Sequence, residues 1–185
     1  DKGDLDKALD FQEKALKLIE ILGDKHPSLA TSYNNISLIY QDKGDLDKAL
    51  DFQEKALKLI EILGDKHPSL ATSYNNISLI YQDKGDLDKA LDFQEKALKL
   101  REEILGDKHP NLATSYNNIA TIYRDLKQCQ KVKENIKKAI EIWSINDFNK
   151  KELFKANNVL KEVNNHIKKE KKLAYNKKGR YCKDS

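Results

Sequence analysis

The segment ATSYNNISLIY occupies residues 30–40 and returns unchanged at residues 71–81. A third copy, ATSYNNIATIY, occupies residues 113–123. The same alternation of apolar and amide residues therefore recurs three times along the chain, at nearly constant spacing. That spacing is the first indication of how the chain folds.

The copies lie inside longer repeats. Residues 1–41 and 42–82 are identical, residues 83–124 form a copy of 42 residues, and a fourth unit begins at Asp125 and soon diverges. A period of this size predicts stacked supersecondary units, none of which can bury its apolar face alone.

Each unit is predicted to form two helices. The first carries Leu29, Tyr33, Ile36 and Tyr40 at spacings of i, i+4, i+7 and i+11, which place them on one stripe. Such a stripe must be buried against another helix. The short connections between consecutive helices predict antiparallel neighbours.

Turn residues mark the helix ends. Pro27 suits the first helical turn, Gly44 the left-handed position that ends a helix, and Asp45 the N-cap of the second helix. The second helix is expected to stop at Gly64. Its buried face is predicted to contain Leu46, Ala49, Phe52, Ala56, Leu59, Ile60 and Leu63.

Composition favours a highly helical protein. Hydrophobic residues make up 39% and charged residues 35%, and charges interrupt every apolar run, so no membrane span is predicted. Cys129 and Cys182 fit neither a metal-ligand nor a CxxC spacing, which indicates a reducing, cytoplasmic compartment. Because the chain starts inside a repeat and has no Met, we expect a fragment of a longer protein.

Charge is distributed unevenly. Residues 1–124 carry 17 Lys and Arg against 22 Asp and Glu, a net −5, whereas residues 125–185 carry 17 against 8, a net +9. We expect residues 174–185 to form a disordered, solubilising tail. The alternative is that the basic run from Lys168 to Lys183 tethers the protein to nucleic acid or an anionic membrane.

An amphipathic helix precedes this tail, in residues 145–173. We favour a helix that caps the end of the repeat body, with a dimerisation helix as the alternative. Its apolar residues are Leu153, Ala156, Leu160, Val163 and Ile167.

These units resemble tetratricopeptide repeats of the long, 42-residue kind found in kinesin light chains. The family's large, apolar, small and aromatic positions of the first helix are matched by Tyr33, Ile36, Ser37 and Tyr40, its two alanines of the second helix by Ala49 and Ala56, and its proline by Pro68. The resemblance covers about residues 1–144.

The chain departs from the family in two places. Gln12, Gln53 and Gln94 occupy a second-helix position that is usually aromatic, and Phe11, Phe52 and Phe93 stand one residue earlier. In the fourth unit, Lys127 replaces the turn glycine and Val132 the first alanine, although Ala139 remains.

The resemblance implies that the first helices line a concave groove in which asparagines bind the backbone of an extended peptide. An amide can both donate and accept, so it can pair with peptide groups of any sequence. The alternative is a solvated face that recurs through duplication. The predicted groove residues are Thr31, Asn34, Asn35, Leu38, Asp42, Thr72, Asn75, Asn76, Leu79, Asp83, Thr114, Asn117, Asn118, Thr121 and Asp125.

Other chemistry is not expected. The groove positions carry Asn, Thr and Asp rather than the Lys and Arg with which related domains clamp a C-terminal carboxylate, so neutral or basic peptides are favoured. His26, His67 and His109 precede prolines, and we assign them to structural turns. No nucleophile or phosphate-loop motif is present, so we expect no catalysis, metal or cofactor.

We therefore predict an all-α, right-handed solenoid of antiparallel helix pairs in residues 1–144, with units starting at 1, 42, 83 and 125 and the first helix of the first unit missing. A capping helix in residues 145–173 and a basic tail in 174–185 follow. The predicted function is non-catalytic binding of a peptide or partner protein. The alternatives are end-to-end self-assembly through the apolar stripe of Leu5, Phe11 and Ala15, dimerisation through the C-terminal helix, and tethering by the tail.

Overall fold

The computed structural model describes residues 2–21, 27–62, 64, 67–145 and 150–181, and this part of the chain is helical without strands. The predicted all-α class is therefore confirmed. The helices are α1 (Lys2–Glu20), α2 (Pro27–Asp42), α3 (Leu46–Glu61), α4 (Pro68–Asp83), α5 (Leu87–Leu105), α6 (Pro110–Asp125), α7 (Cys129–Ile145) and α8 (Lys150–Tyr181).

The chain forms two compact units. Unit 1, Asp1–Gly106, contains α1 to α5, and unit 2, Asp107–Ser185, contains α6 to α8. In unit 1 each helix packs on the next, most extensively α2 on α3 and α4 on α5. In unit 2, α7 packs on both α6 and α8. The expected repeat body of residues 1–144 is thus divided, with α6 and α7 grouping with the capping helix.

The predicted turn chemistry is present between α2 and α3. Gly44 has φ +80°, and the carboxylate of Asp45 accepts a hydrogen bond from the Lys48 backbone N–H at 3.3 Å. In unit 2 the same turn is made without glycine, because Lys127 itself adopts φ +58°. The fourth repeat, which begins at Asp125, therefore keeps the turn although Lys127 stands where the earlier repeats have the favourable glycine.

The core of each helix pair is built from small residues on the second helix. Leu29 and Ile36 of α2 are fully buried, as are Ala49 and Ala56 of α3. Tyr33 and Tyr40 are half-buried instead. Both contact the half-buried Phe52, with ring centroids 6.0 and 5.6 Å away. Tyr74, Tyr81 and Phe93 repeat this arrangement in α4 and α5.

The one-residue difference between copies lengthens α5. Helix α3 ends at Glu61, whereas α5 continues to Leu105, where the N–H of Gly106 bonds to the Glu102 carbonyl at 3.1 Å. Arg101 stands where α3 has the buried Ile60, and burial lowers the pKa of its guanidinium. The extra residue therefore extends the helix rather than the loop.

Helix α8 is longer than the predicted capping helix. It starts at Lys150 and continues past residue 173 to Tyr181, so the tail expected to be disordered is helical over 174–181; Lys, Ala and Tyr supply helix-compatible residues there. Ala156 is buried, while Leu153, Leu160, Val163 and Ile167 are half-buried. His26, Leu63 and Cys182 lie outside the described residues.

Candidate peptide-binding face

The predicted groove residues of unit 1 lie on α2 and α4, and we call them the amide face. Their exposure varies regularly: the threonines and aspartates at the ends are exposed, and the asparagines between them are half-buried. The amide face consists of Thr31, Asn34, Asn35, Leu38 and Asp42 on α2, and Thr72, Asn75, Asn76, Leu79 and Asp83 on α4.

The apolar members of this face are not equivalent. Leu38 is 41% exposed, but Leu79 is half-buried, although both were expected to be exposed. The two leucines stand at identical positions of identical helices, so their difference arises from the packing of neighbouring helices. Of these two leucines, Leu38 is therefore the one that offers an exposed apolar contact.

A cleft of about 320 Å³ opens where α2 and α4 run beside each other. Thr31 and Asn34 line it from α2, Thr72 lines it from α4, and Ile60 contributes an apolar side chain from α3. The structure thus brings together three predicted groove residues around one opening. The lining is mostly uncharged, with hydroxyl and amide groups that can donate and accept hydrogen bonds.

A chain of amide hydrogen bonds runs along this face from α5 to α2. The buried Gln94 Nε2 donates to Asn75 Oδ1 at 3.4 Å, and Asn75 Nδ2 donates to Asn76 Oδ1 at 3.5 Å. Asn76 Nδ2 then donates to Asn34 Oδ1 at 3.1 Å, which connects two repeats. Asn75 and Asn76 therefore have different roles, since only the second of the two bonds to the preceding repeat.

The equivalent glutamine of the preceding repeat has no such bond. Gln53 is 0% exposed, and neither its Nε2 nor its Oε1 has a hydrogen-bond partner among the described residues. Buried polar groups are nearly always paired, because an unpaired one retains the full penalty of losing water. In the sequence, Gln53 and Gln94 stand out only as departures from a family position, which does not predict the hydrogen bond from Gln94 to Asn75.

Acidic groups border the amide face. Asp42 is exposed, and Asp83 accepts a 2.5 Å hydrogen bond from Gln41 Nε2 of the preceding repeat. Lys43 and Lys84 form ion pairs with Asp6 and Asp47 between other neighbouring repeats. Among the residues that the structure describes, no Lys or Arg lines the α2–α4 cleft.

Unit 2 carries its own version of the face on α6. Thr114 and Asp125 are exposed, and Asn117, Asn118 and Thr121 are half-buried. The Thr121 hydroxyl donates to the Asn117 backbone carbonyl at 3.1 Å, so it is satisfied within the helix.

His67 and His109 have the structural role predicted for them. The Nδ1 atoms of His67 and His109 accept hydrogen bonds at 3.2 Å from the N–H groups of Ser69 and Asn111, and they cap α4 and α6. Across the described ranges, no group of His, Cys, Asp and Glu is arranged to hold a metal ion. None of the described helices is long and apolar enough to cross a membrane.

The acidic residues of the second helices pair with lysines. Asp51 and Lys55 lie 2.7 Å apart at i, i+4 spacing, as do Asp92 and Lys96. The side-chain hydrogen bond from Lys48 lowers the pKa of the Asp45 carboxyl, and Lys89 does the same for Asp86. These contacts stabilise helices and their caps rather than placing two carboxyl groups around a substrate.

Comparison with known proteins identifies the repeat. A family model described as "Tetratricopeptide repeat" matches residues 1–62, 30–103 and 69–144. No curated protein matches the sequence.

Solved structures are similar in fold. A putative kinesin light chain with nearly identical TPR-like repeats from Podosopora anserina has a TM-score of 0.74 at 19% identity, covering 100% of this chain and 91% of that one. BtubC (BKLC) from P. vanneervenii has a TM-score of 0.73 at 21% identity, covering 96% and 76%. The apo form of RapI has a TM-score of 0.76 at 20% identity, covering 97% and 49%.

Proposed function

Because the chain belongs to the tetratricopeptide-repeat family, we propose that it is a non-catalytic protein-interaction module whose amide face binds an extended peptide. The family's fold is typical of protein-interaction scaffolds. What supports the specific assignment is the α2–α4 cleft, where Thr31, Asn34 and Thr72 surround one opening. A peptide backbone laid there would meet donors and acceptors that do not depend on its sequence.

The preferred peptide is neutral or basic. Asp42 is exposed at one end of α2, and the described residues that line the cleft include no Lys or Arg. A terminal carboxylate would lack a counter-charge there, whereas a lysine or arginine of the ligand would be attracted. Leu38 offers a contact for one apolar ligand side chain. The threonines, asparagines and Asp125 of α6 would present similar groups on unit 2.

Peptide-display selection against the chain tests this assignment. We expect enrichment of a motif that is lost with Thr72→Lys, which places a long cation at the cleft while changing an exposed residue. Asn158→Lys, at an exposed position of α8, makes the same charge change away from the face and should leave the enrichment intact. No enrichment, or enrichment that both variants retain, contradicts peptide binding by the amide face.

The absence of catalysis belongs to the same proposal. Near-identical repeats supply the same groups many times, whereas an active site requires different groups that converge once. Four aspartates of the second helices and their caps pair with lysines of their own helix or turn: Asp45, Asp51, Asp86 and Asp92. A reducing compartment such as the cytoplasm would suit Cys129, which is unpaired with another cysteine.

Self-association is a second candidate, because α1 exposes an apolar residue whose equivalent in α3, a helix of the same sequence, packs against α2. Phe11 is 70% exposed, whereas the equivalent Phe52 contacts two tyrosines of α2. A second copy docking on α1 would cover this stripe. Sedimentation should then show concentration-dependent mass that Phe11→Asp abolishes and Phe154→Asp, at a 68% exposed residue of α8, does not. The reverse outcome would assign dimerisation to α8, and constant mass would exclude both.

Tethering through the C-terminal basic run remains a third candidate, supported by the net +9 of residues 125–185. It predicts binding to RNA or anionic vesicles that weakens steeply with salt and disappears when residues 168–185 are deleted.

A further inference from the structure

Unit 1 contains two repeats in the sense of a first helix with the second helix that follows it, α2 with α3 and α4 with α5. Their first helices are identical, yet their asparagine and glutamine side chains are paired differently. Asn75 accepts a hydrogen bond from Gln94 of its own repeat at 3.4 Å. Asn34 accepts one from Asn76 of the next repeat at 3.1 Å, and Gln53 remains unpaired. The same amide oxygen is therefore seen with a partner from inside its repeat and with a partner from outside it.

Gln53 occupies a position from which its amide can donate a hydrogen bond to Asn34. It stands on α3 as Gln94 stands on α5, within segments of identical sequence, and Asn34 stands on α2 as Asn75 stands on α4. The bond from Gln94 to Asn75 shows that the glutamine side chain can reach the asparagine in this packing. Both polar atoms of Gln53 are buried and unpaired, so a contact that satisfies one of them is favourable.

We propose that Gln53 is a positioning residue and a reserve donor to Asn34: when a ligand peptide group accepts a hydrogen bond from the Asn76 amide, Gln53 Nε2 donates to Asn34 Oδ1 in its place. The recruiting group of the ligand is a backbone carbonyl, because the Asn76 Nδ2 atom that bonds to Asn34 is a donor and requires an acceptor. Breaking the bond between repeats is then offset by pairing a buried group that the free protein leaves unpaired. The identity of the recruiting group depends on the proposed function, but the exchange between Asn34 partners does not.

A double-mutant cycle in the full chain tests the exchange without any peptide. Asn76→Ala removes the present donor, and Gln53→Leu removes the reserve donor and its unpaired atoms. We expect Asn76→Ala alone to reduce the folding equilibrium constant less than about threefold, because Gln53 replaces the lost bond. In the Gln53→Leu background the same change should reduce it about tenfold, because Asn34 then has neither donor.

Asn35→Ala is the matched control, since it removes the same group from an identical helix. Asn35 makes no hydrogen bond to another side chain in the described ranges, so its change should not depend on the residue at position 53. A reduction by Asn76→Ala that is the same in both backgrounds would overturn the proposal. So would a Gln53 dependence that Asn35→Ala shows equally.

A crystal structure of Asn76→Ala decides the matter if Gln53→Leu fails to fold. The proposal requires Gln53 Nε2 within hydrogen-bonding distance of Asn34 Oδ1, and a Gln53 that stays unpaired overturns it. Failure of either test leaves peptide binding by the amide face intact. Failure of the display selection, conversely, leaves the exchange standing as a property of the repeat stack.

Discussion

The hydroxyl of Ser37 donates a 2.7 Å hydrogen bond to the backbone carbonyl of Ala49, and Ser78 makes the same bond to Ala90. Both members of each pair are fully buried, so the two helices of a repeat meet where neither carries a large side chain. This contact explains why the family's small position is filled here by serine. It also makes the position sensitive to size.

We expect Ser37→Leu to destabilise the protein by about 3 kcal/mol, because a larger side chain must separate α2 from α3. Ser37→Ala should cost only about 1 kcal/mol, the net value of one hydrogen bond. Urea denaturation measures both. Thr31→Leu, at an exposed position of the same helix, should change the free energy of unfolding by less than about 0.5 kcal/mol. Equal effects at positions 31 and 37 would show that helix contact is not the cause.

Lys127→Gly should stabilise the chain by about 1 kcal/mol, because glycine adopts φ +58° without the crowding that a Cβ causes. Gly85→Ala provides the opposite test. Gly85 has φ +78° and open space around an added Cβ, so any loss there is conformational rather than steric packing. We expect a loss of about 1 kcal/mol in thermal or urea unfolding. No gain from Lys127→Gly, or no loss from Gly85→Ala, would contradict the turn argument.

Phe52 and Phe11 form an internal comparison within identical helices. Phe52→Ala should cost about 2–3 kcal/mol, because it removes the ring that contacts Tyr33 and Tyr40. Phe11→Ala should cost less than about 0.5 kcal/mol, since that ring is 70% exposed. Comparable losses in monomeric protein would mean that Phe11 is covered in solution.

The caps at Asp45 and Asp86 predict a pH dependence. Hydrogen bonds from Lys48 and Lys89 hold the pKa of both carboxyls below the usual value of 3.8. Their folded pKa is therefore lower than the unfolded one, so their contribution is full above pH 3.8 and is lost as pH falls through the folded pKa. Replacing both by Ser keeps a capping oxygen without a titrating group. The urea midpoint of this variant should fall less than that of the parent between about pH 5 and pH 2, whereas parallel curves would refute the assignment.

Local rules predicted the parts of the fold that depend on neighbours in sequence. The left-handed Gly44, the cap at Asp45 and the apolar stripe of α2 follow from residue type and spacing, and the structure contains all three. Identical repeats made the helix pairing predictable as well. The helical continuation of α8 to Tyr181 differs from the predicted disordered tail, because basic composition favours disorder whereas Lys, Ala and Arg also have good helix propensity.

The candidate site could be predicted only as a set of positions. The period of a helix predicts which of its faces is exposed to solvent. Which amide side chains form hydrogen bonds with each other depends on the distance between neighbouring repeats. The bond from Asn76 to Asn34, the unpaired Gln53 and the half-buried Leu79 all arise from packing between residues far apart in sequence. The sequence thus predicts the positions of the amide side chains, and the structure shows which of them form hydrogen bonds with each other.

The greater length of α5 distinguishes it from α3 when the repeats pair during folding. Helices α2 and α4 are identical, and α3 and α5 share their first turns, so either first helix can pair with either second helix at nearly the same energy. Such a chain risks kinetic traps in which whole repeats have exchanged partners. Arg101 and the extension to Leu105 make the C-terminal end of α5 different from that of α3. A shift in repeat order would bury that charged, longer end against the wrong neighbour, so one inserted residue helps to select a single sequence of stacking.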